Sequence, residues 1–158
     1  MKTIRLSNGM EAMVDDEDYE ALMKWKWTAH YHTTSKLWYV ERNCGGKTLS
    51  MHRQLMNVPA NMCVDHKDRN TLNNQKSNLR IATRAQNNAN RTASRSCLTS
   101  KFLGVAFESD RKKWTARIRK DGRGYRLGSF KTEREAAQAY NTAAMRFHGE
   151  FASLNVLE

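Results

Sequence analysis

The sequence predicts an α+β chain built from two small modules and a connecting linker. Short alternating segments bounded by turn signals indicate strands in both halves. In each half a Thr also stands three positions before a Gln or Glu, the spacing of a helix capping box. Between the halves lies a stretch of small polar and basic residues with little to bury. We therefore predict a module over residues 1–92, a linker over 93–100 and a module over 101–158.

Charge is distributed unevenly along the 158 residues. Lys and Arg number 27 against 16 Asp and Glu, which gives a formal net charge of +11. Residues 62–99 and 100–158 each carry +5, whereas residues 1–61 carry only +1. This balance predicts a polyanionic partner, with the phosphate-facing surface beyond residue 61.

Several classes of protein are disfavoured by what the sequence lacks. No apolar run reaches the roughly 18 residues of a membrane span, and the N-terminal residues lack the apolar core of a secretory signal. We therefore expect a soluble, cytoplasmic protein with no membrane partner. Cys44, Cys63 and Cys97 form no CxxC pair, so we interpret them as reduced residues outside any disulfide or zinc site.

The N-terminal module is predicted to be rich in strands. The segment IRLSNGMEAMV breaks around a Ser-Asn-Gly turn signal, and KLWYVER and TLSMHRQL are separated by a Gly-Gly turn. A short helix is predicted over Asp18–Trp27. Trp25, Trp27 and Trp38 could stack on bases, but we favour the core for all three. His30, His32 and His148 are interpreted as surface or packing residues, whereas a role for His52 stays open.

The run from Cys63 to Asn90 has the strongest pattern in the chain. A short strand, 62–64, runs into Asp65 and His66, an Asn-rich loop follows, and Leu79–Ala82 indicates a second strand before a helix that opens at Thr83. Because neighbouring strand residues point to opposite faces, we expect the first strand to end at the Asp-His pair.

These residue types suit phosphodiester hydrolysis. The carboxylate of Asp65 and the amide oxygen of Asn87 are hard donors of the kind Mg²⁺ takes, and Mn²⁺ would also be accepted. The imidazole of His66 titrates near neutral pH and suits a general base.

The same run resembles the HNH, or β-β-α metal, nuclease family, especially the homing endonucleases of phages and introns. The resemblance covers about residues 1–92, with the ββα-metal core at about 62–90. It implies that His66 activates water, that Asp65 and Asn87 hold one divalent ion, and that Asn78 acts with His66 by orienting it or by stiffening the loop. The preceding Met51-His52-Arg53 also resembles a family element, so His52 and Arg53 are accessory candidates.

The C-terminal module has the pattern strand, strand, strand, helix. KFLGVAF, KWTARIRK and YRLGSF alternate so that one face is apolar and the other basic, and an Ala-rich stripe follows Thr132. These segments resemble the Apetala-2, or ethylene-response-factor, DNA-binding domain, in which a three-stranded sheet packed on one helix enters the major groove. The family's first-strand arginines fall on Leu103, Ala106 and Glu108, so its base preference is not transferred.

Together these patterns predict a site-directed DNA endonuclease of the homing type. The DNA-binding candidates are Arg117, Arg119, Arg126, Lys112, Lys113, Thr115, Arg80 and Arg84. A monomer on double-stranded DNA has one active site and is expected to nick one strand, in the bacterial host cytoplasm if the gene belongs to a phage. The alternatives are a non-catalytic DNA-binding regulator that keeps an HNH scaffold, and an RNA-binding basic protein.

Overall fold

The α+β class predicted from the sequence is confirmed, because strands and helices occur together in both halves of the chain. The computed structural model describes residues 1–90 and 99–157. The chain divides into two units, Met1–Arg84 and Ala85–Glu158. The predicted linker lies outside the described residues except at its last two positions. Thr99 accepts a hydrogen bond from the Phe107 N–H at 2.8 Å, and Ser100 is buried, so both are part of the second unit's fold.

The first unit opens with an antiparallel hairpin, β1 (Lys2–Arg5) and β2 (Glu11–Val14), which turns at the predicted Ser-Asn-Gly signal. Gly9 has φ +84° in that turn, a conformation that L side chains rarely adopt. The remaining elements of the unit are α1 (Asp16–Met23), β3 (Thr28–His32), β4 (Leu37–Cys44), β5 (Lys47–Ser50), α2 (Met51–Met56), β6 (Cys63–His66) and β7 (Leu79–Ala82). Strands β3, β4 and β5 form an antiparallel meander, and β6 pairs with β7.

Two predictions for this half were wrong in their bounds or type. Helix α1 begins and ends earlier than the predicted Asp18–Trp27 helix, and the segment TLSMHRQL is a strand only as far as Ser50. Beyond it, Met51 and Leu55 lie one helical turn apart and both pack in the core, so α2 forms instead of a longer strand.

The core prediction for the three tryptophans holds for one of them. Trp27 is buried, and its indole N–H donates to the Leu22 carbonyl at 2.9 Å. Trp25 and Trp38 are 49% and 41% exposed, so the prediction was wrong for both. The Arg42 guanidinium lies 4.1 Å from the Trp25 ring centroid, and Tyr31 packs on Trp38.

The loop between β6 and β7 is tied to the start of the unit. The Met13 N–H donates to the Leu72 carbonyl at 2.9 Å, and the Asn74 N–H donates to the Met13 carbonyl at 2.8 Å. The Asp15 carboxylate accepts from the Lys76 N–H at 2.8 Å and from the Gln75 side chain at 3.1 Å. Asp15, which immediately precedes α1, therefore anchors this loop.

The second unit is a three-stranded antiparallel sheet, β8 (Val105–Glu108), β9 (Lys113–Lys120) and β10 (Arg123–Phe130), with β9 in the centre. Helix α3 (Arg84–Ala89) precedes the sheet in the chain, and the helix that packs on the sheet is α4 (Glu133–His148). The predicted capping box is confirmed: the Thr132 side chain accepts from the Glu135 N–H, and the Glu135 side chain accepts from the Thr132 N–H.

The apolar face of this sheet packs on the Ala-rich stripe of α4. Ala136, Ala137, Tyr140 and Ala144 are buried there together with Ala116 and Ile118 of β9. Gly104 has φ +74°, and a Cβ at that position would lie 2.3 Å from Tyr140 Cδ2. Only a glycine permits this close approach of backbone and ring.

No helix among the described residues is long and apolar enough to cross a membrane.

Candidate functional site

The hairpin of β6 and β7 places Asp65 and His66 at its loop end, where β6 runs into the connection to β7. Asp65 lies opposite Arg80 and His66 lies opposite Leu79. Strand β6 ends at His66, as the sequence predicted. Both side chains are buried, with exposed fractions of 5% and 4%. A carboxylate and an imidazole on neighbouring residues are therefore both held in a region that water hardly reaches.

Asp65 is engaged by an arginine of the neighbouring strand. The Nε and Nη2 atoms of Arg80 donate to Asp65 Oδ2 at 2.7 and 2.6 Å. The Arg80 side chain is only 11% exposed. The structure thus places Arg80, a DNA-binding candidate from the sequence, in a buried ion pair, because burial of the carboxylate demands a compensating charge.

The environment of His66 keeps its ring neutral. Burial lowers the pKa of His66 below its ordinary value, while a side-chain hydrogen bond with Asn74 and the charges of Asp68 and Asp65 act in the opposite direction. The ring of His52 meets that of His66 nearly edge-on, with 5.3 Å between centroids. A neutral imidazole fixed in this way is ready to accept a proton at neutral pH.

His52, the accessory candidate, belongs to the same buried cluster. It lies in α2, is 8% exposed, and has the ring of Tyr39 on another side at 5.8 Å. Burial, and secondarily the proximity of His66, lowers the pKa of His52 to about 3. Within the described part of the chain, its buried Nδ1 atom has no hydrogen-bond partner. His52 is thus a neutral ring beside His66 throughout the physiological range of pH.

The Asn78 side chain is hydrogen-bonded to the loop between β6 and β7. Its amide nitrogen donates to Asp68 Oδ1 at 2.8 Å and to the Asn73 carbonyl at 2.9 Å, and its amide oxygen accepts from the Asp68 N–H at 3.0 Å. Of the two roles that the resemblance implied, these contacts are those of a residue that stiffens the loop beside His66.

Arg53 makes contacts of a structural kind. Its guanidinium donates to the carbonyls of Met62 and Pro59, both at 2.9 Å, and to that of Val58 at 3.3 Å. These bonds hold the segment that leads into β6. The arginine therefore supports the approach to the hairpin.

Asn87 lies in α3 (Arg84–Ala89), the helix that follows β7, and is half-buried. It falls in the second unit as the chain divides, whereas Asp65, His66 and Asn78 all belong to the first. Arg84, at the start of the helix, is exposed.

The carboxylate and amide oxygens among the candidate residues suit a hard divalent cation. No group of three or more His, Cys, Asp or Glu side chains arranged for a metal ion occurs among residues 1–90 and 99–157. A carboxylate and an amide oxygen that leave further positions to water are nevertheless the sparse set of ligands that Mg²⁺ uses. Asp65 and Asn87 each carry an oxygen donor of the kind that such an ion takes.

Asn74 was missed from the sequence. It is 1% exposed, and its amide nitrogen donates to the Leu72 carbonyl at 3.3 Å while its side chain also hydrogen-bonds with His66. It stands in a run with Asn70 and Asn73, which turn chemistry alone explains. A single sequence carries no signal that separates the buried member of that run from its neighbours.

The basic face of the second unit carries most of the candidates for DNA contact. Arg117 and Arg126 lie directly opposite each other on β9 and β10, and Arg119 follows two residues along β9. All three are exposed, as are Lys112 and Lys113. Thr115 is the exception: it is 1% exposed and its hydroxyl donates to the Ala106 carbonyl at 3.3 Å, so the prediction of a DNA contact there was wrong.

Comparison with known proteins supports the assignment of the hairpin. Residues 57–89 match the family model described as HNH endonuclease. That range contains Asp65, His66, Asn78 and Asn87. The segment that carries the candidate active site is therefore similar to HNH endonucleases.

Two curated proteins resemble longer or different parts of the chain. A protein of Acanthamoeba polyphaga mimivirus, named as the uncharacterized HNH endonuclease L560, is 39% identical over 101 residues, which are 64% of this chain and 51% of the viral protein. The dehydration-responsive element-binding protein 2D of Arabidopsis thaliana is 52% identical over 48 residues, 29% of this chain and 23% of the plant protein. The chain spans about half the length of the viral relative. No solved structure matches it.

Proposed function

We propose that this protein is a metal-dependent DNA endonuclease of the HNH type in which His66 is the general base. The observation that carries the proposal is the buried His66, held neutral beside Asp65 on a hairpin within the segment that matches HNH endonucleases. Hydrolysis of a phosphodiester requires a base that is unprotonated near neutral pH, and burial supplies that state here.

Different residues of the chain have different roles in the proposed hydrolysis. His66 removes a proton from the water whose oxygen forms the new bond to phosphorus, while the bond to the departing ester oxygen breaks. Asn74 and His52 hold the imidazole, and Asn78 stiffens the loop beside it.

Asp65 and Asn87 would hold one divalent ion, Mg²⁺ in our proposal. When bound, such an ion stabilises the charge that develops on the phosphate and on the departing oxygen. Arg80 orients the Asp65 carboxylate and compensates its charge.

The second unit would bind the duplex. Its three-stranded sheet on one helix, its exposed arginines and the 48-residue similarity to a plant protein named as an element-binding protein support an Apetala-2-type role in DNA binding. We propose that Arg117, Arg119 and Arg126 contact DNA, with Lys112, Lys113 and Arg84 on phosphates. One active site per monomer would give a nick in one strand of a homing-type target.

The test is cleavage of supercoiled plasmid that carries a duplex selected for binding to the full chain. The wild-type protein should produce nicked circles with Mg²⁺ and none with a chelator. His66→Ala should lower the rate by at least about 100-fold, because a general base contributes that much or more. Binding to the same duplex should be unchanged, and His30→Ala, on the exposed side of β3, should cleave like the wild type.

A second candidate function, a DNA-binding regulator without cleavage, is favoured by the exposed basic face alone. Plasmid that stays supercoiled with Mg²⁺ and with Mn²⁺, at protein concentrations that saturate the duplex, would favour the DNA-binding regulator and rule out the proposed nuclease activity.

A further inference from the structure

A carboxylate lies among the arginines of the basic sheet face. Glu108 is the last residue of β8, and its side chain is 24% exposed. Its Oε1 accepts from Arg117 Nη2 at 3.1 Å, and its Oε2 accepts from Arg126 Nη2 at 3.1 Å. One acidic side chain therefore joins arginines from two different strands.

The bridge that Glu108 makes between Arg117 and Arg126 reduces a local electrostatic repulsion. Arg117 and Arg126 face each other across the β9–β10 ladder, where like charges directly opposite are unfavourable. Glu108 offsets that repulsion by accepting from both guanidiniums. Arg126 Nη2 also donates to Ser129 Oγ at 2.9 Å, so its guanidinium is held from two sides. The two arginines are thus oriented before any ligand arrives.

The bridge also lines an open cavity of about 440 Å³, together with Phe107 and Asp110. Phosphate oxygens are repelled by a carboxylate, so this part of the face is less suited to the DNA backbone than the free arginines would be. Base edges are a better match. In the major groove, Arg donates to O6 and N7 of guanine, and Glu accepts from the exocyclic amine of cytosine. Both preferences point to the same base pair.

We propose that Glu108 is a specificity-determining residue of the sheet face, which directs Arg117 and Arg126 to guanines and accepts from a cytosine amine in a G·C-containing site. The inference rests on the proposed binding of duplex DNA by the second unit. In this proposal Glu108 contributes to sequence selectivity and lowers the affinity of the chain for DNA of any sequence.

The experiment is selection of binding sites from a randomised duplex pool by the full chain in a buffer without divalent ions, followed by titration of the selected and of a random-sequence duplex. The wild type should enrich G·C pairs at adjacent positions. Glu108→Gln should bind the random duplex more tightly and reduce the ratio of selected to random affinity by about 10-fold, the scale of one base contact.

Asp110→Asn is the matched control. It removes the same charge from the lining of the same cavity. Asp110, however, accepts a hydrogen bond from the Ser109 hydroxyl, at 3.5 Å, and not from Arg117 or Arg126. Its affinity ratio should stay within about 2-fold of the wild type, since no base contact is lost. Thermal unfolding of each variant checks that the sheet is intact.

Three results would overturn the inference. If the Glu108→Gln protein selects the same sites with an unchanged ratio of selected to random affinity, Glu108 has no role in sequence recognition. An equal loss in Asp110→Asn would show that net charge alone is responsible. A wild-type chain that prefers no sequence would remove the proposed DNA recognition as well, which distinguishes that failure from the first two.

Discussion

The two units of this protein treat their charged residues in opposite ways. In the first, Asp65 and His66 are buried, the largely covered Arg80 pairs with Asp65, and burial lowers the pKa of His66. In the second, Lys113 and Arg119 are exposed on strand β9. The contrast follows from the two tasks that we propose. A catalytic group needs one protonation state, which burial secures, whereas a phosphate-binding group needs only a positive charge that the polyanion can reach.

Removal of Arg80 should have the largest effect on the stability of the first unit. Arg80→Met removes the positive charge that pairs with the buried Asp65 carboxylate, so the free energy of unfolding should fall by about 3–5 kcal/mol. Urea unfolding followed by circular dichroism measures this change. Arg84→Met removes the same charge from an exposed position and should change stability by less than about 0.5 kcal/mol. Equal effects of the two substitutions would show that the ion pair contributes nothing specific.

The second unit depends on its backbone packing rather than on a buried charge. In Gly104→Ala the new methyl group would lie 2.3 Å from Tyr140 Cδ2 and 2.5 Å from the Arg117 carbonyl, at a φ of +74°. We expect a loss of about 2–4 kcal/mol from strain and overpacking. Hydrogen exchange should show the lost protection in residues 99–157. Gly124→Ala, which meets nothing within 4 Å, should be far milder, and a mild Gly104→Ala would contradict the close packing of β8 on α4.

The buried imidazoles predict how the first unit responds to acid. The pKa of His52 is lowered to about 3 in the fold, so between pH 6.5 and 3 the unfolded chain binds a proton that the folded chain does not. Stability should therefore fall as pH decreases through this window, by up to about 1.4 kcal/mol per pH unit from this group. The lowered pKa of His66 acts in the same direction.

Unfolding titrations at pH 6, 5 and 4 test this expectation. His52→Gln should have a shallower dependence on pH than the wild type, whereas His30→Gln, changed on an exposed strand position, should follow the wild type. Parallel curves for all three proteins would mean that His52 is solvated.

The smallest expected effect concerns the exposed arginines. Arg119→Gln should weaken binding to duplex DNA several-fold, and the slope of log affinity against log salt should become shallower by about 0.9, because one phosphate contact and its released counterion are lost. Arg134→Gln makes the same charge change on α4, the helix on the other side of the sheet. If both substitutions change the slope equally, the sheet face is not the contact surface.

Much of the fold was predictable because its signals are local. The Ser-Asn-Gly turn, the Thr132 capping box and the end of β6 at His66 each depend on residues within a few positions of one another. The candidate site was predictable for a different reason, because the spacing of four residues from Asp65 to Asn87 resembles a known family. The roles of those residues and the boundaries of the two modules stay predictions.

The errors share a cause as well. Trp25 and Trp38 were expected in the core and Thr115 on DNA, and each prediction assumed that a residue's type decides its environment. Exposure depends instead on which surface another segment covers. Thr115 stands on the basic face by alternation, yet its hydroxyl bonds to the Ala106 carbonyl on the neighbouring strand.

The sequence by itself determined the α+β class, the basic charge and the pattern from Asp65 to Asn87, since periodicity, turn chemistry and spacing act over short distances along the chain. Only the tertiary structure decided that Arg80 belongs to Asp65, that Asn74 and His52 contact His66, and that Glu108 joins two arginines. Those pairings join residues from different strands, loops and helices. Burial and charge compensation are properties of such contacts, and no single segment contains them.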